Sequence, residues 1–89
     1  MRTIWKFEIP VEDHFEVQIP MASQVLTVDV QHGQPCIWAL VNPDAERIAY
    51  KFVLRGTGHP IEEDLGPYIG TFQLAGGGLI FHLFHAWYK

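Results

Sequence analysis

A short polar segment in the second half of the chain has the residue types that bind anions. Arg55-Gly56-Thr57-Gly58-His59 combines a cation, two flexible glycines, a hydroxyl and an imidazole. Successive backbone N–H groups in a glycine-rich turn can converge on one point and bind a phosphate or carboxylate. Thr57 and His59 would add hydrogen-bond donors, and Arg55 would add a positive charge. The segment is therefore a candidate binding site for a small anionic ligand such as a nucleotide.

The same segment also fits a purely structural loop. Two glycines before His59-Pro60 allow a tight change of direction, and a single G-x-G pattern is weak support for ligand binding. The acidic run Glu62-Glu63-Asp64 follows closely and would repel an anion unless its side chains pointed away. The sequence leaves ligand binding and a plain loop as alternatives and favours the loop.

Other chemistries have weaker support. A metal at His59 and the neighbouring acids would need three or four well-placed ligands, so neither a metal nor a cofactor is predicted. Cys36 lies in a predicted strand, and Ser23 lies in a turn without the context of a catalytic nucleophile. His82 and His85 are three residues apart, face opposite sides of a strand, and are expected to bond to backbone. We therefore predict no catalytic residues and no enzymatic activity.

Composition limits the partners. The chain has 89 residues, 48% of them apolar and 18% charged, with a net charge of −4. This balance fits one compact domain, residues 1–89, and excludes disorder. The six basic residues are scattered, so nucleic acid is not an expected partner. The single cysteine favours a reducing cytoplasm, and the lack of an apolar run near ~20 residues argues against a membrane span.

The hydrophobic pattern alternates with a period of two along most of the chain, as in half-buried strands. His32-Gly33 fits a tight hairpin turn, and Cys36–Val41 is apolar on both faces, which predicts a central strand. Residues 60–65 are the only helical candidate, at most one turn. We predict an all-β antiparallel meander of about seven short strands that forms a small barrel or a sandwich. The predicted strands lie at about residues 5–9, 15–19, 26–30, 36–41, 47–55, 68–74 and 79–87.

The last predicted strand is apolar on both faces, so both faces must be covered. It is either a central strand of a closed barrel or a strand covered by a second subunit, and both alternatives stay open. The second alternative predicts a homo-oligomer. Its interface residues would be Phe81, Leu83, Phe84, Trp87 and Tyr88.

Nearly the whole chain resembles a family of small uncharacterised proteins of tailed phages and of bacterial genomes, many of them prophage genes. Members commonly end soon after the last matching block, whereas this chain continues with His85-Ala86-Trp87-Tyr88-Lys89. The family has no known catalytic or binding residues, so the resemblance implies no activity. The matching blocks are Thr3–Phe7, Gln34–Val41, Phe52–Ile61 with its GTGHPI run, Gly70–Phe72 and Leu79–Phe84.

These observations predict a small phage-associated accessory protein of the bacterial cytoplasm. We expect it to act by binding protein, either a second copy of itself or a host or phage protein. Two alternatives remain. One is a binder of an anionic ligand at the Gly56–Pro60 loop, and the other is a minor component of the virion.

Overall fold

In the computed structural model, which describes residues 1–86, the chain forms seven β-strands and one short 3₁₀ turn. All strand pairs are antiparallel. The predicted all-β class is therefore confirmed. The strands are β1 (Thr3–Glu8), β2 (His14–Pro20), β3 (Gln24–Gln31), β4 (Gln34–Val41), β5 (Arg47–Gly56), β6 (Tyr68–Leu74) and β7 (Leu79–His85), and the 3₁₀ turn is Ala75–Gly77.

The strands form two sheets, with orders β1-β4-β3 and β2-β5-β7-β6. Neither sheet closes on itself, so the barrel alternative is not formed among the described residues. The predicted meander is wrong in its connections, because only β3–β4 and β6–β7 pair strands that follow each other in the chain. The alternating pattern shows which residues face the interior, but it does not show which strands are neighbours.

One hydrophobic core joins the two sheets. Ile37 of β4, Phe52 of β5 and Leu83 of β7 are fully buried in it. The doubly apolar β4 lies between β1 and β3, as predicted for a central strand. The buried cluster comprises Ile9, Phe15, Ile19, Val28, Ile37, Ala39, Val41, Phe52, Leu54, Phe72 and Leu83.

Two positions show why the backbone needs particular residues. His32 and Gly33 both have positive φ, 52° and 77°, and form the two-residue turn between β3 and β4. This geometry matches the twist of a hairpin and confirms the predicted turn. At Gly70 a Cβ atom would lie 2.8 Å from Cγ1 of Val28. The edge strands β3 and β6 can therefore approach each other only because residue 70 has no side chain.

The connection between β5 and β6, residues 57–67, has no helical turn at residues 60–65. A single helical turn repays little of its nucleation cost, and tertiary bonds hold this segment instead. Gly66 N donates to His85 O at 2.9 Å, His85 N donates to Pro67 O at 3.0 Å, and Glu63 pairs with Arg55. No helix within residues 1–86 has the length and apolar content needed to cross a membrane.

Candidate functional site

The loop that carries the predicted anion-binding residues is short and internally bonded. Thr57 N donates to Ile80 O at 3.1 Å, which extends the contact between β5 and β7. His59 N donates to Gly56 O at 3.2 Å and closes the turn, while Gly58 has a φ of +87°. Both N–H groups are thus occupied by the protein's own carbonyls. These two groups are not free to bind an anion, which weakens the case for an anion nest.

An apolar pocket lies on one side of this loop, between it and the hairpin of β6 and β7. Its volume is about 220 Å³. The His59 ring forms part of the wall because Gly56 leaves room for it: a Cβ at Gly56 would lie 3.0 Å from Cε1 of His59. Leu79 is 50% exposed at this position. The apolar pocket is lined by Gly56, Thr57, His59, Gly78, Leu79, Ile80 and Phe81.

A charged pocket of about 340 Å³ lies on the other side of the loop. The Arg55 side chain, only 11% exposed, pairs there with the carboxylate of Glu63 through Nη2. Arg55 Nη1 donates to Leu54 O at 2.9 Å and to Asp13 O at 3.2 Å. The charged pocket is lined by Asp13, Arg55, His59, Pro60, Glu62 and Glu63.

Of the acidic run, Glu63 thus points toward Arg55, and Glu62 lines the same pocket. Glu63 also lies 3.8 Å from Nε2 of His14, so it bridges β5 and β2. A ligand anion in this pocket would have to displace Glu63 and face the carboxylate of Glu62. The structure also divides the predicted site, because Arg55 lines the charged pocket, Thr57 lines the apolar pocket and His59 lines both.

A chain of side-chain hydrogen bonds crosses the outer face of the second sheet and ends at the loop. The Tyr68 hydroxyl lies 2.5 Å from Thr71 Oγ1, which lies 2.9 Å from Nδ1 of His82. Nε2 of His82 lies 2.7 Å from Thr57 Oγ1. From the sequence, backbone partners were predicted for His82, and this row of side-chain hydrogen bonds was missed. Only the strand register could have indicated these bonds, because it places Thr71 directly opposite His82. That register is known only once the pairing of β6 with β7 is known.

The other predicted polar candidates have structural roles. The His85 ring stacks on Phe52 with centroids 5.2 Å apart, and burial lowers the pKa of His85 below its ordinary value. Cys36 is buried, and desolvation raises the pKa of its thiol, so it is poorly suited to act as a nucleophile. Ser23 Oγ donates to Pro20 O at 2.6 Å within its turn.

The predicted interface on the last strand has only part of its residues at the surface. Strand β7 lies between β5 and β6, so both of its edges are already paired, in an open sheet rather than a barrel. Leu83 is 0% exposed and cannot touch a partner of the folded domain. Phe81 packs against Phe72, and Phe84 packs against Tyr68, with ring centroids 5.7 and 5.6 Å apart. The remaining two interface candidates, Trp87 and Tyr88, lie outside the described residues.

A family model described as a domain of unknown function, DUF7352, matches residues 1–89. The chain therefore belongs to this family. No curated protein and no solved structure matches the chain. Within residues 1–86, no group of three or more His, Cys, Asp or Glu side chains is arranged to hold a metal ion.

Proposed function

We propose that this protein is a small protein-binding module that receives an apolar side chain of a partner in the apolar pocket. The observation that carries the proposal is a concave, mainly apolar surface beside the half-exposed Leu79. Interfaces typically depend on a few anchor side chains that fill such pockets. Thr57, which lines the apolar pocket, is hydrogen-bonded to His82, so polar groups lie beside the apolar surface.

The size of the apolar pocket favours a protein partner over a free metabolite. Its volume of about 220 Å³ is below the ~300–1,000 Å³ that is typical of small-molecule sites. The anion-binding alternative has weaker support, because the Arg55 guanidinium already binds Glu63 and two backbone carbonyls. Catalysis has no supporting arrangement of nucleophile, base and oxyanion donors in residues 1–86.

The resemblance to small proteins of tailed phages and prophages supports an accessory role in a phage-infected or lysogenic bacterium. The partner would then be a host or phage protein in the cytoplasm, and self-association would be part of the same role. A minor virion component is the variant of this proposal in which the partner is a structural protein of the particle. Mass spectrometry of purified particles separates the two.

A matched pair of variants tests the pocket. Leu79→Asp places a charge in the apolar pocket, whereas Leu26→Asp makes the same change on β3 at a leucine that is 40% exposed. Affinity capture from host lysate with quantitative mass spectrometry should recover one partner with the native protein and with Leu26→Asp. The same partner should be lost with Leu79→Asp, and direct binding of the two purified proteins should show the same order of affinity.

Thermal unfolding must first show that both variants fold. If no partner is captured by the native protein, or if Leu79→Asp retains the partner at full affinity, the apolar pocket is not the binding site.

A further inference from the structure

Strand β1 has a free edge. Within residues 1–86, β1 pairs only with β4. Ile9 N donates to Pro35 O at 3.0 Å, so the odd-numbered residues of this segment bond to β4. Because the backbone groups of successive residues in an antiparallel strand point in opposite directions, those of the even-numbered residues point outward. The unpaired N–H and C=O groups therefore belong to Ile4, Lys6 and Glu8.

Edge strands are normally protected from edge-to-edge pairing by prolines, bulges, short length or charged side chains. This edge has only the last of these, Lys6 and Glu8. Strand β1 has six residues, Thr3–Glu8, with no proline, no glycine and an unbroken register against β4. The edges of β3 and β6, by contrast, are both irregular and lie against each other at Val28 and Gly70. The edge of β2 also keeps an unbroken register, but that strand ends in Pro20. The first strand is thus the regular edge that contains no proline.

We infer that two copies of the chain pair through β1, antiparallel across a two-fold axis at Phe7. In this register Lys6 of each copy lies opposite Glu8 of the other, which gives two opposite-charge pairs. Shifting the axis to Lys6 or to Glu8 would place identical charges opposite each other, which destabilises a strand pair. Lys6 and Glu8 are also residues whose backbone groups point outward, so each pair exchanges both of its backbone hydrogen bonds.

The aromatic residues on the inner face of β1 support the same arrangement. Trp5 and Phe7 are only half-buried in one copy, and their rings meet edge to face with centroids 6.3 Å apart. The Arg47 guanidinium lies 5.2 Å above the Trp5 ring and helps to hold it. The two Phe7 rings would face each other at the axis, where opposed residues of a non-hydrogen-bonded pair come closest. Pairing would therefore bury aromatic surface and would also join the β1-β4-β3 sheets of the two copies.

This inference deepens the self-association part of the proposed function, and it uses a surface separate from the apolar pocket. Lys6 Nζ, which lies 2.7 Å from Gln31 Oε1 in one copy, is exposed and can turn toward the partner. Failure of the dimer would leave the pocket proposal intact, and loss of pocket binding in Leu79→Asp would leave the dimer intact.

Charge reversal tests the register. In sedimentation at low ionic strength, the native protein should be a dimer, and both Lys6→Glu and Glu8→Lys should weaken dimerisation by about tenfold or more. The double variant, which exchanges the two charges, should restore it. Asp64→Lys, on an exposed residue of the 57–67 connection, is the control for net charge and should leave the dimer unchanged.

A native protein that stays monomeric overturns the inference. So does a dimer that ignores the single reversals, or one that the double variant fails to restore.

Discussion

The two pockets on either side of the Gly56–His59 loop differ in whether the groups that line them already have partners within the same chain. In the charged pocket, Arg55 already has a carboxylate and two carbonyls of the same chain as partners. In the apolar pocket, Leu79 remains half exposed beside a mainly apolar surface. The more conspicuous charged residues therefore need not mark a binding site. A cation whose partners lie in its own chain stabilises the fold, whereas exposed apolar surface would gain stability if a partner covered it.

The charged pocket also positions the apolar one. Glu63 connects the 57–67 segment to Arg55 on β5 and to His14 on β2. This attachment fixes the course of the chain after His59, whose ring forms a wall of the apolar pocket. The Arg55–Glu63 ion pair therefore holds the charged pocket together and also helps to position the His59 wall of the apolar pocket.

The largest expected effect comes from removing the central cation of the charged pocket. Arg55→Ala should lower the free energy of unfolding by about 2 kcal/mol, because Glu63 and two carbonyls lose a largely buried charged donor. Urea denaturation followed by tryptophan fluorescence measures the change.

Glu62→Gln is the matched control, since Glu62 lines the same pocket and directly precedes Glu63 in the chain. It should change stability by less than ~0.5 kcal/mol, as is usual for exposed positions. If Arg55→Ala were as harmless as Glu62→Gln, the charged pocket would not be internally satisfied and anion binding would regain support.

A smaller effect should appear with pH, at the half-buried ring of His85, whose pKa is shifted by desolvation alone. Burial next to Phe52 lowers the pKa of His85 below its ordinary value of 6.5. The unfolded chain therefore takes up a proton at a higher pH than the folded chain does. Stability should be full above about pH 6.5 and should fall as the pH drops toward the lower folded pKa.

Thermal unfolding from pH 7.5 to 5 measures this dependence. His85→Phe keeps an aromatic ring against Phe52 and should flatten the part of the pH profile that His85 contributes. An unchanged profile in that variant would show that His85 is not the group responsible.

The sequence predicted the parts of the fold that depend on local chemistry. The His32-Gly33 hairpin and the central position of β4 follow from positive φ and from apolar residues on both faces. Strand order was not predictable, because the pairing of β1 with β4, and of β5 with β7, joins distant segments. Each alternating strand is compatible with several neighbours, and packing of the whole core selects among them.

For the candidate site, the sequence located the loop but did not indicate which distant side chains its residues contact. Adjacent residues suggested that Arg55 and Thr57 would act together, yet they line different pockets. The ion pair of Arg55 with Glu63 depends on how the 57–67 segment folds back. The contact of Thr57 with His82 depends on the pairing of distant strands. Neither can be read from spacing alone.

One NMR experiment compares ligand binding at the two pockets directly. Labelled protein is titrated separately with N-acetyl-leucinamide, which mimics an apolar partner side chain, and with inorganic phosphate. If the apolar pocket is the binding site, the leucine derivative should give saturable shifts of the Leu79 and Ile80 methyl signals, and phosphate should give no saturable shift of the Arg55 signals. Saturable binding of phosphate at Arg55, with unmoved methyl signals at Leu79, would contradict that assignment.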